Sequence, residues 1–142
     1  AAGLGHKFSV LTIFENLIAG QEMLAVHVGV RAKLASVRPT YIPVLDLMKD
    51  PDVTKARLIE VARACVEEDR ADALLFGCMT MSFLDMGDEI GSEVGVPVVN
   101  AGRAAVKHAE MLVSMGLAHS KKAWPTPAKM KAGKTASEMR VE

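Results

Sequence analysis

Four consecutive apolar residues, Ala73-Leu74-Leu75-Phe76, stop at Gly77-Cys78, and a helix-compatible stretch follows from Phe83 to Val94. An apolar run this short, bounded by a glycine, reads as a buried parallel strand. Thr80 or Ser82 is the expected cap of the helix after it. The turn constrains the fold strongly, because parallel strands need helical crossovers. It also places a thiol at the carboxyl edge of a sheet, where open α/β folds bind their ligands. A helix N-terminus beside that thiol favours thiolate over thiol.

The rest of the chain supplies the partners of that strand. Phe8–Ile13 is rich in β-branched residues and ends at the polar Glu15-Asn16. A helix is expected from Ile18 to about Leu34, weakened by Gly20 and Gly29. Ser36–Ile42 is a second strand, and Pro39 argues for a sheet edge. Val53–Glu68 is the clearest helix: Asp50 can cap it, Pro51 suits its first turn, and Leu58, Val61, Ala62, Cys65 and Val66 share one face. Ala71–Phe76, then Val96–Val99, complete four strands, and Arg103–Met115 forms a last helix ended by Gly116. The alternation predicts an α/β fold, a four-stranded parallel flavodoxin-like sheet in the order 2-1-3-4 with helices on both faces. Residues 1–117 are read as this α/β lobe. Residues 118–142 are read as a basic C-terminal tail, irregular or docked on another lobe or chain, with Trp124 as a docking point.

Composition narrows the function classes. Half of the 142 residues are hydrophobic, 24% are charged and the formal net charge is zero. A chain of this size is about one domain, and without a basic stripe nucleic acid is not expected as a partner. No apolar run approaches the ~20 residues that span a bilayer, so no membrane partner is expected either. Two cysteines without framework spacing suggest a reducing, cytoplasmic setting. The chain does not begin with Met, which points to processing, trimming or a fragment.

Cys78 is the leading candidate for chemistry, against the alternative that a free cysteine is simply a small buried hydrophobe. Cys65, mid-helix on an apolar face, is read as packing only. His6, His27, His108 and His119 show no ligand spacing, and no Cys-x-x-Cys occurs, so no metal is expected. No Gly-x-Gly-x-x-Gly follows the first strand and no Walker motif exists. Asp46, Asp50 and Asp52 are accounted for by helix capping. Thr12 ends the first strand at the same sheet edge as Cys78 and can bind a carbonyl or cap a turn; Asn100 reads as a turn residue.

Several segments together resemble a known family. Leu75-Phe76-Gly77-Cys78-Met79-Thr80-Met81, Gly95–Asn100 and Ala104–Glu110 are similar to the C-terminal part of hydantoin racemases, in the aspartate/glutamate racemase superfamily. Met115–Pro127 resembles the same family's terminus, and Gly5–Thr12 with Ile42–Leu45 matches at the front. The resemblance implies two similar α/β lobes, each giving one cysteine, and no cofactor or metal. One thiolate removes the α-proton of a hydantoin- or allantoin-like cyclic ureide and the opposed thiol returns a proton to the other face. Carried over, Cys78 is the catalytic cysteine of the C-terminal lobe. Gly77, Met79 and Thr80 form the turn whose N–H groups hold a substrate oxygen, and Thr12 is a substrate-side position. Many members have a second Thr where this chain has Ile13. The missing N-terminal lobe and a homo-oligomer are the implied partners, and the lone chain is expected to be inactive. A non-catalytic flavodoxin-like module, or a decarboxylase or isomerase on the same scaffold, stands as the alternative.

Overall fold

The computed structural model describes residues 1–127 and Met130. Residues 128, 129 and 131–142, the greater part of the expected basic tail, lie outside the described residues. The chain divides into two compact units, Ala1–Val106 and a second beginning at Lys107.

The first unit is the α/β lobe. Its elements run β1 (Phe8–Thr12), α1 (Ile18–His27), β2 (Leu34–Pro39), α2 (Pro51–Glu67), β3 (Ala73–Phe76), α3 (Met79–Phe83), α4 (Gly87–Val94) and β4 (Val98–Val99); α5 spans Ala101–Ser114. All pairings are parallel, in the order β2-β1-β3-β4. That is the expected fold and strand order.

Strand alternation builds a core on each face. Leu11, Ile13, Leu74 and Phe76 pack with Leu58, Val61, Ala62 and Cys65 of α2 and Ile90 of α4. Phe8, Val10, Leu34, Val37 and Ala73 pack on the other face with Ala25 of α1. Each fully buried Leu or Phe contributes about 1.5–3 kcal/mol relative to exposure. In β2 an extra residue, Ala35, falls between the partners of Phe8 and Ser9. This bulge turns Ser36 to the face opposite Leu34. There Ser36 Oγ lies 2.7 Å from Ser9 Oγ and donates to Asp69 at 2.6 Å, while Arg38 grips both oxygens of Asp69 at 2.6 and 2.8 Å.

Several boundaries depart from expectation. Helix α1 ends at His27, not near Leu34, because Gly29 adopts the left-handed conformation (φ 74°). Strand β2 therefore begins at Leu34 and closes at Pro39; as an edge strand it tolerates the proline. Asp50 caps α2 as expected, accepting from Val53 N at 3.1 Å. The single helix expected over Phe83–Val94 is instead two helices separated by Leu84–Met86, with Asp85 at φ 56°. Leu84 and Met86 both pack against the α2-side core, whereas an unbroken helix would point residues two apart about 200° from each other. Arg103 holds the Asp85 carboxylate at 2.8 Å across the break. Thr80 and Ser82 thus lie inside α3, and neither caps it; Cys78 occupies the N-cap position. In the second unit Trp124 is 66% exposed and meets only the edge of His119 among described aromatic contacts.

The Asp69 network gives a pH dependence. Hydrogen bonding from Arg38, aided by Ser36, holds the Asp69 carboxyl below its ordinary value against the opposing effect of burial. A depressed carboxyl contributes stability that is full above its unfolded pKa, about 3.9, and is lost as pH falls through the folded value. Asp69→Asn is expected to cost about 1–3 kcal/mol at neutral pH. Urea titrations at descending pH should show the gap between wild type and variant closing below about pH 4.

Candidate functional site

The site is defined by where the two central strands stop. Leu11 pairs with Phe76, and Gly77 N–H donates to Leu11 O at 2.8 Å, prolonging the ladder by one bond. Thr12 and Gly77 are therefore side by side at the carboxyl edge, and Cys78 is the first residue beyond it. The expectation that Thr12 and Cys78 share this edge is met by the register itself.

Gly77 has a steric requirement. A Cβ there would fall 2.6 Å from Val10 Cγ1, 3.2 Å from Leu11 O and 3.3 Å from Gln21 Cδ. Its N–H is already given to Leu11, so Gly77 serves the turn by its lack of a side chain and is not an open donor. Cys78 is extended (φ −122°, ψ 128°) and opens α3. Its residue is half-buried, packed against the α2-side core. No side chain caps α3, so the N–H groups of Met79 and Thr80 in its first turn have no intrahelical acceptor. The helix is only five residues long, so the charge at its N-terminus comes from little more than one turn. Met79 is half-exposed and Thr80 half-buried.

Thr12 is fully buried, and among the described residues its Oγ1 has no hydrogen-bond partner; nor has the buried Ser82 Oγ, on α3. Leaving a buried hydroxyl unpaired costs about 1–3 kcal/mol, so both atoms stand out.

Two amide side chains hold this turn, and neither was expected to. Gln21 of α1 donates Nε2 to Gly77 O at 3.0 Å. Asn100 donates Nδ2 to Ser82 O at 2.6 Å and accepts from Arg103 N–H at 3.0 Å, capping α5 while tying it to α3. Asn100, expected as a turn residue, is a helix cap, a role its residue type favours, because α5 begins at Ala101 and not at Arg103. Gln21 carries no sequence signal.

Cys65 is elsewhere. It is fully buried on α2 near Ser9 and Ser36, and burial pushes its thiol up to about 11, opposed by hydrogen bonding to Ser36. Packing is its role. Among the described residues no cluster of three or more His, Cys, Asp or Glu could hold a metal, and no helix is long and apolar enough to cross a membrane. A charged surface groove lined by Arg38, Tyr41, Arg57, Glu60 and Arg63 lies along β2 and α2 and does not include Cys78.

Residues 1–109 match the model of the Asp/Glu/hydantoin racemase family. The chain belongs to this family. It is 35% identical over 121 residues to hydantoin racemase of Pseudomonas sp. (strain NS671), covering 85% of this chain and 48% of that protein. The hydantoin racemase of Rhizobium meliloti is also 35% identical over 121 residues, covering 85% and 49%. Among solved structures, allantoin racemase from Pseudomonas fluorescens superposes with TM-score 0.80 at 34% identity, covering 89% of this chain and 54% of that one. Allantoin racemase from Klebsiella pneumoniae gives 0.79 at 28% identity, covering 85% and 49%. The chain spans about half the length of the curated relatives it matches.

Two outcomes test this geometry. Cys78 should be alkylated by iodoacetamide at least about tenfold faster than Cys65 near neutral pH, since burial both shields the Cys65 thiol and pushes it up; peptide mass spectrometry reads the ratio. Gly77→Ala should cost about 1–3 kcal/mol through overpacking against the β-branched Val10, read by urea unfolding.

Proposed function

We propose that this chain is one lobe of a cofactor-independent racemase acting on a cyclic ureide of the hydantoin or allantoin kind, and that Cys78 is one of its two acid/base groups. The observation that carries the proposal is the placement of Cys78 at the carboxyl edge of β3, opening a helix, in a chain of this racemase family.

The chemistry follows from the substrate class. A carbon next to a carbonyl is acidified because the electron pair left by its proton spreads onto the carbonyl oxygen. In this proposal the Cys78 thiolate takes that proton and becomes a thiol. An opposed thiol from a second lobe gives its proton to the other face and becomes a thiolate, so protons balance and configuration inverts. The open N–H groups of Met79 and Thr80 stabilise the oxygen as charge develops on it. Thr12 is assigned to the substrate side of the same edge, where its unpaired hydroxyl supports that role. Keeping both thiols reduced requires a reducing compartment, which is why a cytoplasmic setting is proposed.

The second lobe is itself part of the proposal. Its support is the half-length match and the exposed apolar surface of α1. That helix buries only Ala25 and leaves Met23, Leu24 and Val26 half or more exposed. Grouped exposed apolar side chains ordinarily mark a covered surface, and another lobe or another copy in a homo-oligomer would cover this one.

In the intact-length protein, Cys78→Ser should lower racemisation by about 10²–10⁴-fold, the contribution of a positioned acid/base group, with the melting curve unchanged. Decay of optical rotation of an enantiopure hydantoin or allantoin is the measurement. Full racemisation by Cys78→Ser would remove Cys78 from the acid/base role, whereas no racemisation by the unaltered protein would favour a non-catalytic module or a different reaction on the scaffold.

A further inference from the structure

We propose that Gln21, on α1, is a positioning residue that fixes the orientation of the Cys78 thiol through the Gly77 carbonyl. This rests on the assignment of Cys78 as an acid/base group. Three observations lead to it.

The first is conformational. Glycine lacks the Cβ that limits backbone rotation in other residues, and the ψ angle of Gly77 decides where the next Cα–Cβ bond points. Cys78 inherits that uncertainty directly. Its own side chain makes no capping bond to α3, so no hydrogen bond there adds to its packing against the α2-side core. The second is the restraint. Gly77 N–H is held by Leu11 O at 2.8 Å and Gly77 O by Gln21 Nε2 at 3.0 Å. The peptide plane between Gly77 and Cys78 is thereby fixed at its oxygen, the atom that swings when ψ changes. The Gln21 amide also lies close against the glycine, with Cδ 3.3 Å from where a Cβ would be.

The third is position. Ile18, Gln21 and Ala25 follow i, i+3, i+7 spacing, the spacing of a core-facing stripe. Ile18 and Ala25 pack in the α1-side core, so α1 is already seated on the sheet without an amide between them. A glutamine in that stripe is spent on one acceptor, and that acceptor belongs to the residue before Cys78.

The test uses the intact-length protein with Gln21→Met, which keeps length and approximate volume and removes the donor. The expected result is a kcat lower by about tenfold or more with KM within about twofold, as misplacement of a reacting group predicts. The decisive readout is the substrate deuterium isotope effect. With α-deuterated enantiomers, it should rise for the one enantiomer whose proton Cys78 removes and fall for its mirror image, to which Cys78 only returns a proton. A merely structural defect lowers the active fraction and leaves both isotope effects alone, which would overturn the proposal, as would wild-type kcat. If Gln21→Met does not fold, Gln21→Glu sets an acceptor against the carbonyl in the same space, and the same asymmetry is required of it; failure of both to fold makes Gln21 structural and also overturns the proposal. Cys78→Ser run in parallel separates the two levels. Loss of activity there with wild-type behaviour in Gln21→Met defeats the positioning role alone, whereas a fully active Cys78→Ser defeats the assignment of Cys78 as an acid/base group.

Discussion

The pairing of β1 with β3 is the constraint on which the rest of this lobe depends. Both strands are central and buried on both faces, so a slip of one residue would turn every core side chain to the wrong layer. The register that avoids this sets Leu11 opposite Phe76 and then continues by one hydrogen bond onto Gly77. The chain can leave the sheet only at Cys78, because the preceding residue is wedged against Val10 and must be glycine. Position of the thiol is thus a by-product of core packing. The ends of the central strands, the least adjustable part of the molecule, carry the half-buried thiol of Cys78.

Polar atoms inside the lobe are handled in two contrasting ways. At the β2 side, Ser9, Ser36, Asp69 and Arg38 form a connected chain in which each group has a partner. The bulge at Ala35 is what allows it, by turning Ser36 inward toward Ser9. A satisfied network of this kind fixes a unique arrangement at little net cost. Near the N-terminus Asp72 does similar work on the surface, accepting from the backbone N–H of His6 and Lys7 at 2.7 and 2.9 Å. At the carboxyl edge the pattern reverses. Thr12 and Ser82 keep buried hydroxyls without partners among the described residues, beside a turn whose Gly77 and Ser82 carbonyls are held by Gln21 and Asn100.

Much of this was legible in the sequence, and the exceptions have physical causes. Four strands and their order followed from alternating apolar runs, and the Asp50 cap of α2 was plain because Asp-Pro opens a periodic segment. Placing Thr12 and Cys78 on one edge required only that both strands run parallel. The break between α3 and α4 was hidden because Phe83–Val94 has helix-compatible residues throughout. It exists because Leu84 and Met86 both seek the same core and because Asp85 finds Arg103, eighteen residues on. The early end of α1 depended on which of two glycines, Gly20 or Gly29, would take a left-handed conformation, and composition alone does not choose. Gln21 was invisible for a related reason: its acceptor is 56 residues distant and becomes a neighbour only in the folded lobe.

In the proposed reading of Thr12 as a substrate-side residue, its unpaired hydroxyl has a consequence for recognition. Polar groups on a binding surface normally surrender water when a ligand arrives, and that loss offsets much of what the new contact gains. Thr12 is already dry, its dehydration settled when the lobe folded. A ligand atom that displaced the cover over it and could donate to or accept from it would form a bond without stripping water from the hydroxyl. A ligand of the same shape lacking that atom would leave the deficit standing. Discrimination at such a point comes less from attraction to the right molecule than from a debt the wrong one cannot discharge.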